Sequence, residues 1–183
     1  NTPEFTPNSN AEIHLAEAAF IIAEKFGFTQ MDQDLFAIKS HAKALDSKQS
    51  LSDEIVKIGP EKFSFDPYAR NLSLKLCGRA PKLFGSITHA NTAISADAAS
   101  FVVICKNVLK GEKALKLISG TTVGANPKLP GLAPLDAIKG VFDVSGLKEK
   151  DINQVEIMEA YASQAMACIC LLYTSDAADE PKG

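Results

Sequence analysis

The stretch Val155–Cys168, VEIMEAYASQAMAC, joins a short apolar run to a run of helical character with only Met158, Glu159 and Ala160 between them. No Gly, Pro, Ser or Asn makes the turn. So abrupt a change of element is expected where a strand feeds a helix at the edge of an α/β sheet, which is also where ligands bind in open sheets. N–H groups at a helix start suit an anion or oxyanion, and Glu159 near that positive end is electrostatically favourable. A plain capped helix start with no ligand is the other reading, and the junction residues by themselves leave both open.

Outward from the junction, the pattern predicts a helix over Glu159–Leu171 and a strand within KEKDINQVEIM before it. Upstream, ALKLISGTTVG reads as a strand, ANPKLPGLAP as a Pro/Gly loop and Ala133–Phe142 as a helix. DAASFVVICKN reads as a buried strand and GSITHAN as a strand or turn. This alternation predicts an α/β class with a mostly parallel sheet. The first half is richer in helix and loop, as expected of an insertion lying over such a sheet. Residues 1–10 read as coil. A helix is predicted over Glu12–Phe26, with Ile13, Ala16, Ala19, Phe20 and Ala23 inward and Gly27 as its C-cap. Thr29 with Asp32 three residues on resembles a capping box. The helix it starts reaches about Ser47, with Leu35, Phe36, Ile38, Ala42 and Leu45 as the expected inner face. EIVKIG reads as a short strand, PEKFSFDPYARN as a loop, and residues 71–84 as a mixed stretch with a short helix ending near Pro81.

The chain has 183 residues, 46% hydrophobic and 22% charged, with net charge −3. That is enough for a core and carries no basic excess, so nucleic-acid binding is not expected. The longest apolar runs, SFVVIC and AMACICLL, are too short to span a bilayer, and no secretory leader opens the chain, so a cytoplasmic protein is expected. Cys77, Cys105, Cys168 and Cys170 stand among apolar or small residues and read as buried, reduced thiols. Neither they nor His14, His41 and His89 show metal-ligand spacing, so no metal is expected. His41 reads as a solvated helix histidine.

Five stretches, in order, resemble the thiolase family. Met158-Glu159-Ala160-Tyr161-Ala162-Ser163-Gln164 resembles the family's N-E-A-F-A junction followed by Gln. TTVGANPKLPGLAPLDAIKGVF (121–142) is similar to its V-G-x-x-P segment, proline loop and helix. ITHANTAISADAASFVVI (87–104) is similar to T-A-G-N-x-S-x-x-x-D-G-A-A-A. EKFGFTQMDQDLFAIKSHAKAL (24–45) resembles the thiolase helix pair, and IHLAEAAF (13–20) the H-M-G-x-T-A-E stretch before it. The resemblance covers roughly residues 12–170.

It implies a layered αβαβα fold, here incomplete. Residues 1–110 correspond to the later part of the N-terminal half, including a loop-domain segment, and residues 111–170 to the start of the C-terminal half. Residues 171–183 are expected to be a non-native tail, since LYTSDAADE departs from the pattern. The implied activity is acyl transfer: thiolytic cleavage of 3-ketoacyl-CoA by CoA, or the reverse Claisen condensation of acetyl-CoA, through an acyl-cysteine. The family's nucleophilic Cys and its later His and Cys are not matched in this chain, which is expected to be inactive alone. Coenzyme A or acyl-CoA is implied as substrate, with no permanently bound cofactor. The parent is expected to be a homodimer or homotetramer, and association with a β-oxidation partner subunit is the further expectation. A non-catalytic, thiolase-like acyl-CoA-binding or partner-subunit protein is the alternative.

The resemblance also implies site residues. His14 and Leu15 fall on the pair that lies along pantetheine, although a histidine capping local backbone is the plainer reading of His14. Ala93 stands where the family often carries a pantetheine-contacting Ser. Ala160 and Tyr161 belong to the same CoA-binding set, as does Arg70, which also reads as a solvated arginine. Asn91 reads as turn-forming, and Asp97 as satisfying backbone donors of the next turn. Met158 takes the place of the family's oxyanion-hole Asn. A thioether offers no strong donor, and losing one such donor costs roughly 10²–10³ in rate. Tyr161 adds a hydroxyl to the family's Phe, and Ala98 replaces the usual Gly after Asp97.

Overall fold

The computed structural model describes residues 13–57, 65–106 and 114–174, with side chains through Leu172. Two helices at opposite ends of the chain, α1 (Leu15–Phe26) and α6 (Ala162–Thr174), pack together at the centre. Small residues allow the close approach. Ala16, Ala18, Ala19 and Ala23 of α1 and Ala162, Ala165 and Ala167 of α6 are buried. The hydroxyl of Ser163 donates to the carbonyl of Ala19 at 2.9 Å, so the helix backbones are held by a hydrogen bond as well as by packing.

The predicted caps are present. Gly27 closes α1 at φ +69°, where a Cβ would be strained, and its N–H donates to the carbonyls of Ala23 and Glu24. Thr29 and Asp32 form the capping box of α2 (Gln30–Asp46): Asp32 Oδ2 accepts the Thr29 N–H at 2.8 Å, and Thr29 Oγ1 accepts the Asp32 N–H at 3.2 Å. The Thr29 hydroxyl also donates to Asp32 Oδ2, at 2.6 Å; that bond first, and the bond from the Thr29 N–H second, hold the Asp32 carboxyl below the usual carboxylate range. α1 starts at Leu15, capped by His14; the expected start at Glu12 lies outside the described residues.

A short α3 (Lys48–Glu54) and a single-turn α4 (Leu74–Cys77) follow. The hairpin β1 (Lys82–Phe84) and β2 (Ile87–Thr88) then turns through Gly85. Ile87 packs with Ala16 and Ala19, and Phe20 and Tyr161 close over them. α5 (Ala133–Ser145) runs three residues beyond the predicted helix and stops at Gly146, φ +71°. The final helix begins at Ala162 rather than Glu159 and runs to Thr174; residues 175–183 lie outside the described residues.

The strands of the expected parallel sheet do not form among the described residues. Among the described residues the only sheet is the antiparallel hairpin. Phe101, Val102, Val103 and Ile104 are nearly fully exposed, as are Leu115 and Leu117, and no strand runs through residues 152–158. A strand persists only in a ladder with a covered face, and none of these runs pairs with a neighbour among the described residues. Of EIVKIG, Glu54 ends α3, Ile55–Lys57 are irregular, and the rest lies outside the described residues.

The inner face of α2 also differs from expectation. Gln33, Asp34 and Ala37 are its buried residues, whereas Leu35 is 40% exposed and Ala42 is exposed. The polar pair is inward because partners wait for it there.

Candidate functional site

The junction is held from behind by a buried polar cluster. Asn91, 2% exposed, donates from Nδ2 to Asp34 Oδ1 at 3.0 Å and to the Ser86 carbonyl at 3.2 Å. Its Oδ1 accepts the Thr88 N–H at 2.8 Å. Gln33 Nε2 donates to Ser86 Oγ at 3.0 Å and to the Thr29 carbonyl at 3.2 Å. The turn after β2 is thereby fixed to α2. The same turn grips the junction: the Ala162 N–H donates to the Asn91 carbonyl at 3.0 Å, the Ala93 N–H to the Ala160 carbonyl at 2.9 Å, and Thr92 bridges Tyr161. Ala160, at a bend, and Tyr161, in a bridge, are thus tied to this turn, so α6 starts only at Ala162. Asn91 is structural, as its sequence reading has it. Asp97 is exposed and makes no hydrogen bond to the following turn.

Two cavities flank the junction. One, of about 210 Å³, is lined by Leu15, Ala18, Ala19 and Ile22 of α1, by Gly131 and Pro134, and by Met158, Ala160, Tyr161 and Gln164. Among these side chains only Tyr161 and Gln164 carry polar groups. Burial raises the Tyr161 hydroxyl above its ordinary value, so it stays protonated at neutral pH. Met158 is 80% exposed at the cavity wall and does not plug it. The second cavity is wider, about 890 Å³, and more polar; Ser40, His41, Asp66, Arg70, Ala93 and Glu159 are among its lining.

The sequence-expected site residues are therefore divided. Leu15, Met158, Ala160 and Tyr161 meet around the apolar cavity although they are distant in sequence. Arg70 and Ala93 face the wider one. His14 lines neither: its Nδ1 accepts the Ala16 N–H at 3.3 Å, capping α1, with the ring exposed. Glu159 is exposed and accepts a hydrogen bond from Ser40 Oγ at 2.5 Å. Gly131 and Gln164 also line the apolar cavity; Gln164 ends the junction motif, but neither is expected from sequence as a site residue. A Cβ on Gly131 would stand 2.9 Å from Gln164 Cγ and 3.0 Å from Ile22 Cδ1, so this glycine keeps the cavity open. Its location in the Pro/Gly loop gave no sign of that.

The cysteines also divide. Cys77 and Cys168 are buried, and burial is the main cause raising both thiols, so neither is a ready thiolate. Cys105 and Cys170 are exposed, against expectation. Cys105 sits in a segment without helix or strand, and Cys170 on an outer face of α6. No group of three or more metal-ligating side chains, and no helix long and apolar enough to cross a membrane, occurs among the described residues.

His41 is half-buried rather than fully solvated, because its Nδ1 accepts the Arg70 N–H at 3.3 Å, tying residues 65–70 to α2. Burial and then Arg70 lower its pKa, against weaker opposite pulls from Asp66 and Glu159. The folded ring binds a proton less readily than the unfolded one. Its contribution is therefore complete above the ordinary value of 6.5 and is lost as pH falls through the lowered folded value. The melting temperature is expected to drop over that window. His41→Gln, whose side-chain oxygen can still accept from Arg70, should flatten the drop; parallel pH profiles for both proteins would contradict the assignment.

The family model described as thiolase, N-terminal domain, matches residues 5–108, and that described as thiolase, C-terminal domain, matches residues 112–178. The β-ketoadipyl-CoA thiolase of Acinetobacter baylyi is 32% identical over 172 residues, covering 84% of this chain and 43% of that protein. The acetyl-CoA acetyltransferase of Allochromatium vinosum is 30% identical over 171 residues, with the same coverage. The crystal structure of the dimeric peroxisomal thiolase of Saccharomyces cerevisiae superposes with a TM-score of 0.70 at 26% identity, covering 88% of this chain and 44% of that one. The chain spans less than half the length of these relatives. The fold it shares with them is the partial thiolase-like α/β fold expected from the sequence, here without the parallel sheet among the described residues.

Proposed function

The chain belongs to the thiolase family, and we propose that it forms part of an acyltransferase that moves acyl groups between coenzyme A thioesters. The reaction would be cleavage of a 3-ketoacyl-CoA by CoA, or condensation of acetyl-CoA in the reverse direction, through an acyl-cysteine. The observation that carries this reading is the apolar cavity beside the junction, where Leu15, Met158, Ala160 and Tyr161 converge. Such a wall suits the uncharged arm or acyl part of a thioester and repels its phosphates. Arg70 lines the wider cavity across the junction, and in this reading its guanidinium would meet the phosphates. Assembly as two or four copies belongs to the same reading and is supported by the dimeric yeast relative.

None of the four cysteines of this chain is the nucleophile in this proposal, because two are buried with raised thiols and the exposed two lie outside the cavity lining. Met158 supplies no side-chain donor for an oxyanion, so any such donor comes from backbone N–H groups or from elsewhere in the assembled enzyme. The 183-residue chain is expected to bind acetyl-CoA saturably in a calorimeter yet to leave acetoacetyl-CoA unconsumed in the presence of CoA. Turnover by the chain alone would refute the assignment of its cysteines. Absence of binding would refute the cavity as a thioester site.

A further inference from the structure

The apolar cavity separates the two uncharged parts of a thioester by what it can pair. Its polar groups are few and mostly engaged. Gln164 Nε2 donates to Cys168 Sγ at 3.7 Å, and Gln164 Oε1 is buried within the protein, out of reach of a bound molecule. The Ala160 carbonyl accepts the Ala93 N–H at 2.9 Å, and the Gly131 carbonyl accepts a hydrogen bond from Cys168 Sγ at 3.5 Å. Of the side chains in the lining, only the Tyr161 hydroxyl is left over. The arm of coenzyme A carries two amides and a hydroxyl. Enclosed here, most of their donors and acceptors would go unpaired, and each unpaired group is costly. A hydrocarbon chain carries no such cost and gains with every CH₂ removed from water. No charged side chain stands in the lining, so a terminal carboxylate is excluded as well.

Size and burial give the length and the direction. An apolar cavity of about 150 Å³ holds benzene, and the cavity here is about 210 Å³. Its lining passes from Met158, 80% exposed, to Ala19 and Ile22, both buried. Gly131 stands at the Ile22 end, where a Cβ would lie 3.0 Å from Ile22 Cδ1 and 2.9 Å from Gln164 Cγ. We propose that this cavity is an acyl-chain subsite for an uncharged alkyl tail of about six to eight carbons, a little more than the benzene-sized cavity holds. The thioester end lies towards Met158, the tail lies beside Ile22 and Gly131, and the coenzyme A arm stays outside. The subsite rests on the thioester reading above and narrows its ligand to acyl groups of medium length.

The test titrates acetyl-, butanoyl-, hexanoyl-, octanoyl- and decanoyl-CoA into the 183-residue chain in a calorimeter. Succinyl-CoA serves as the charged acyl probe, and the series is repeated on Gly131→Ala together with a thermal melt. Affinity is expected to rise roughly threefold to fourfold for each added CH₂ through hexanoyl and to level off between octanoyl and decanoyl. Succinyl-CoA should bind no more tightly than acetyl-CoA. In Gly131→Ala the rise should stop at a shorter chain, because the added methyl takes room at the buried end. Acetyl-CoA binding as tightly as octanoyl-CoA overturns the acyl subsite while leaving the thioester reading intact. A rise that continues undiminished to decanoyl overturns it too, since adsorption on exposed apolar surface has no fixed length. A variant series that matches wild type overturns the placement of the tail beside Gly131. Should Gly131→Ala lose its cooperative melt, the wild-type series decides alone. A wild type that binds none of the thioesters overturns this inference together with the reading beneath it.

Discussion

Asn91→Ala is expected to destabilise the fold by about 3 kcal/mol, through lost hydrogen bonds and a buried carboxylate left short of a partner. Three hydrogen bonds of the Asn91 side chain disappear: two donated, to Asp34 and Ser86, and one accepted, from Thr88. Asp34, 4% exposed, then keeps only the longer bond from Gln30 at 3.4 Å. In a domain of this size that loss lowers the melting temperature by roughly 6–12 °C. Because the backbone of residues 91–93 also holds Ala160 and Ala162, the cavity wall at Ala160 and Tyr161 should loosen. Asn91→Asp should be worse, since it sets a second carboxylate against Asp34. Urea midpoints give the comparison. A change below about 1 kcal/mol for Asn91→Ala would mean the cluster is dispensable.

Gly85→Ala should cost about 2–4 kcal/mol, from backbone strain at positive φ together with overpacking. Gly85 turns the hairpin at φ +54°, and a Cβ there would lie 2.3 Å from ring atoms of Phe20. Phe20 has little freedom to retreat, being stacked at a tilt on Phe84 with ring centroids 5.5 Å apart and packed on the Ala16–Ala19–Ile87 cluster. If the ring is the obstacle, Phe20→Leu should recover part of the loss when combined with Gly85→Ala. Strictly additive losses in chemical denaturation would place the whole effect in the backbone.

What was legible in the sequence was local. The Gly27 cap, the Thr29–Asp32 box and the helical runs of α1, α5 and α6 need only neighbouring residues to specify them. The apolar runs SFVVIC and ALKLIS carry strand character but not the identity of a pairing partner, and none pairs with them among the described residues. The inward polar pair of α2 was missed because counting apolar residues on a helix face assumes that polar residues face water. Its partners Ser86 and Asn91 are 53 and 57 residues away, beyond any local pattern. Family resemblance grouped Leu15, Met158, Ala160 and Tyr161, and the fold brings them to one cavity. Arg70 and Ala93, grouped with them by resemblance, lie across the junction because residues 160–162 run as a wall between the two spaces. Gly131 and Gln164 matter through volume, which only three-dimensional packing reveals.

In the proposed function, the cavity beside the junction receives the uncharged part of a coenzyme A thioester. The most direct measurement is calorimetric titration of acetyl-CoA into wild type and into Ala160→Phe, which fills the cavity from its wall, with circular dichroism confirming that both are folded. Saturable binding to wild type is expected, with at least a tenfold loss in the variant, about 1.4 kcal/mol or more. Equal affinity in the two proteins would place the thioester elsewhere and contradict the account.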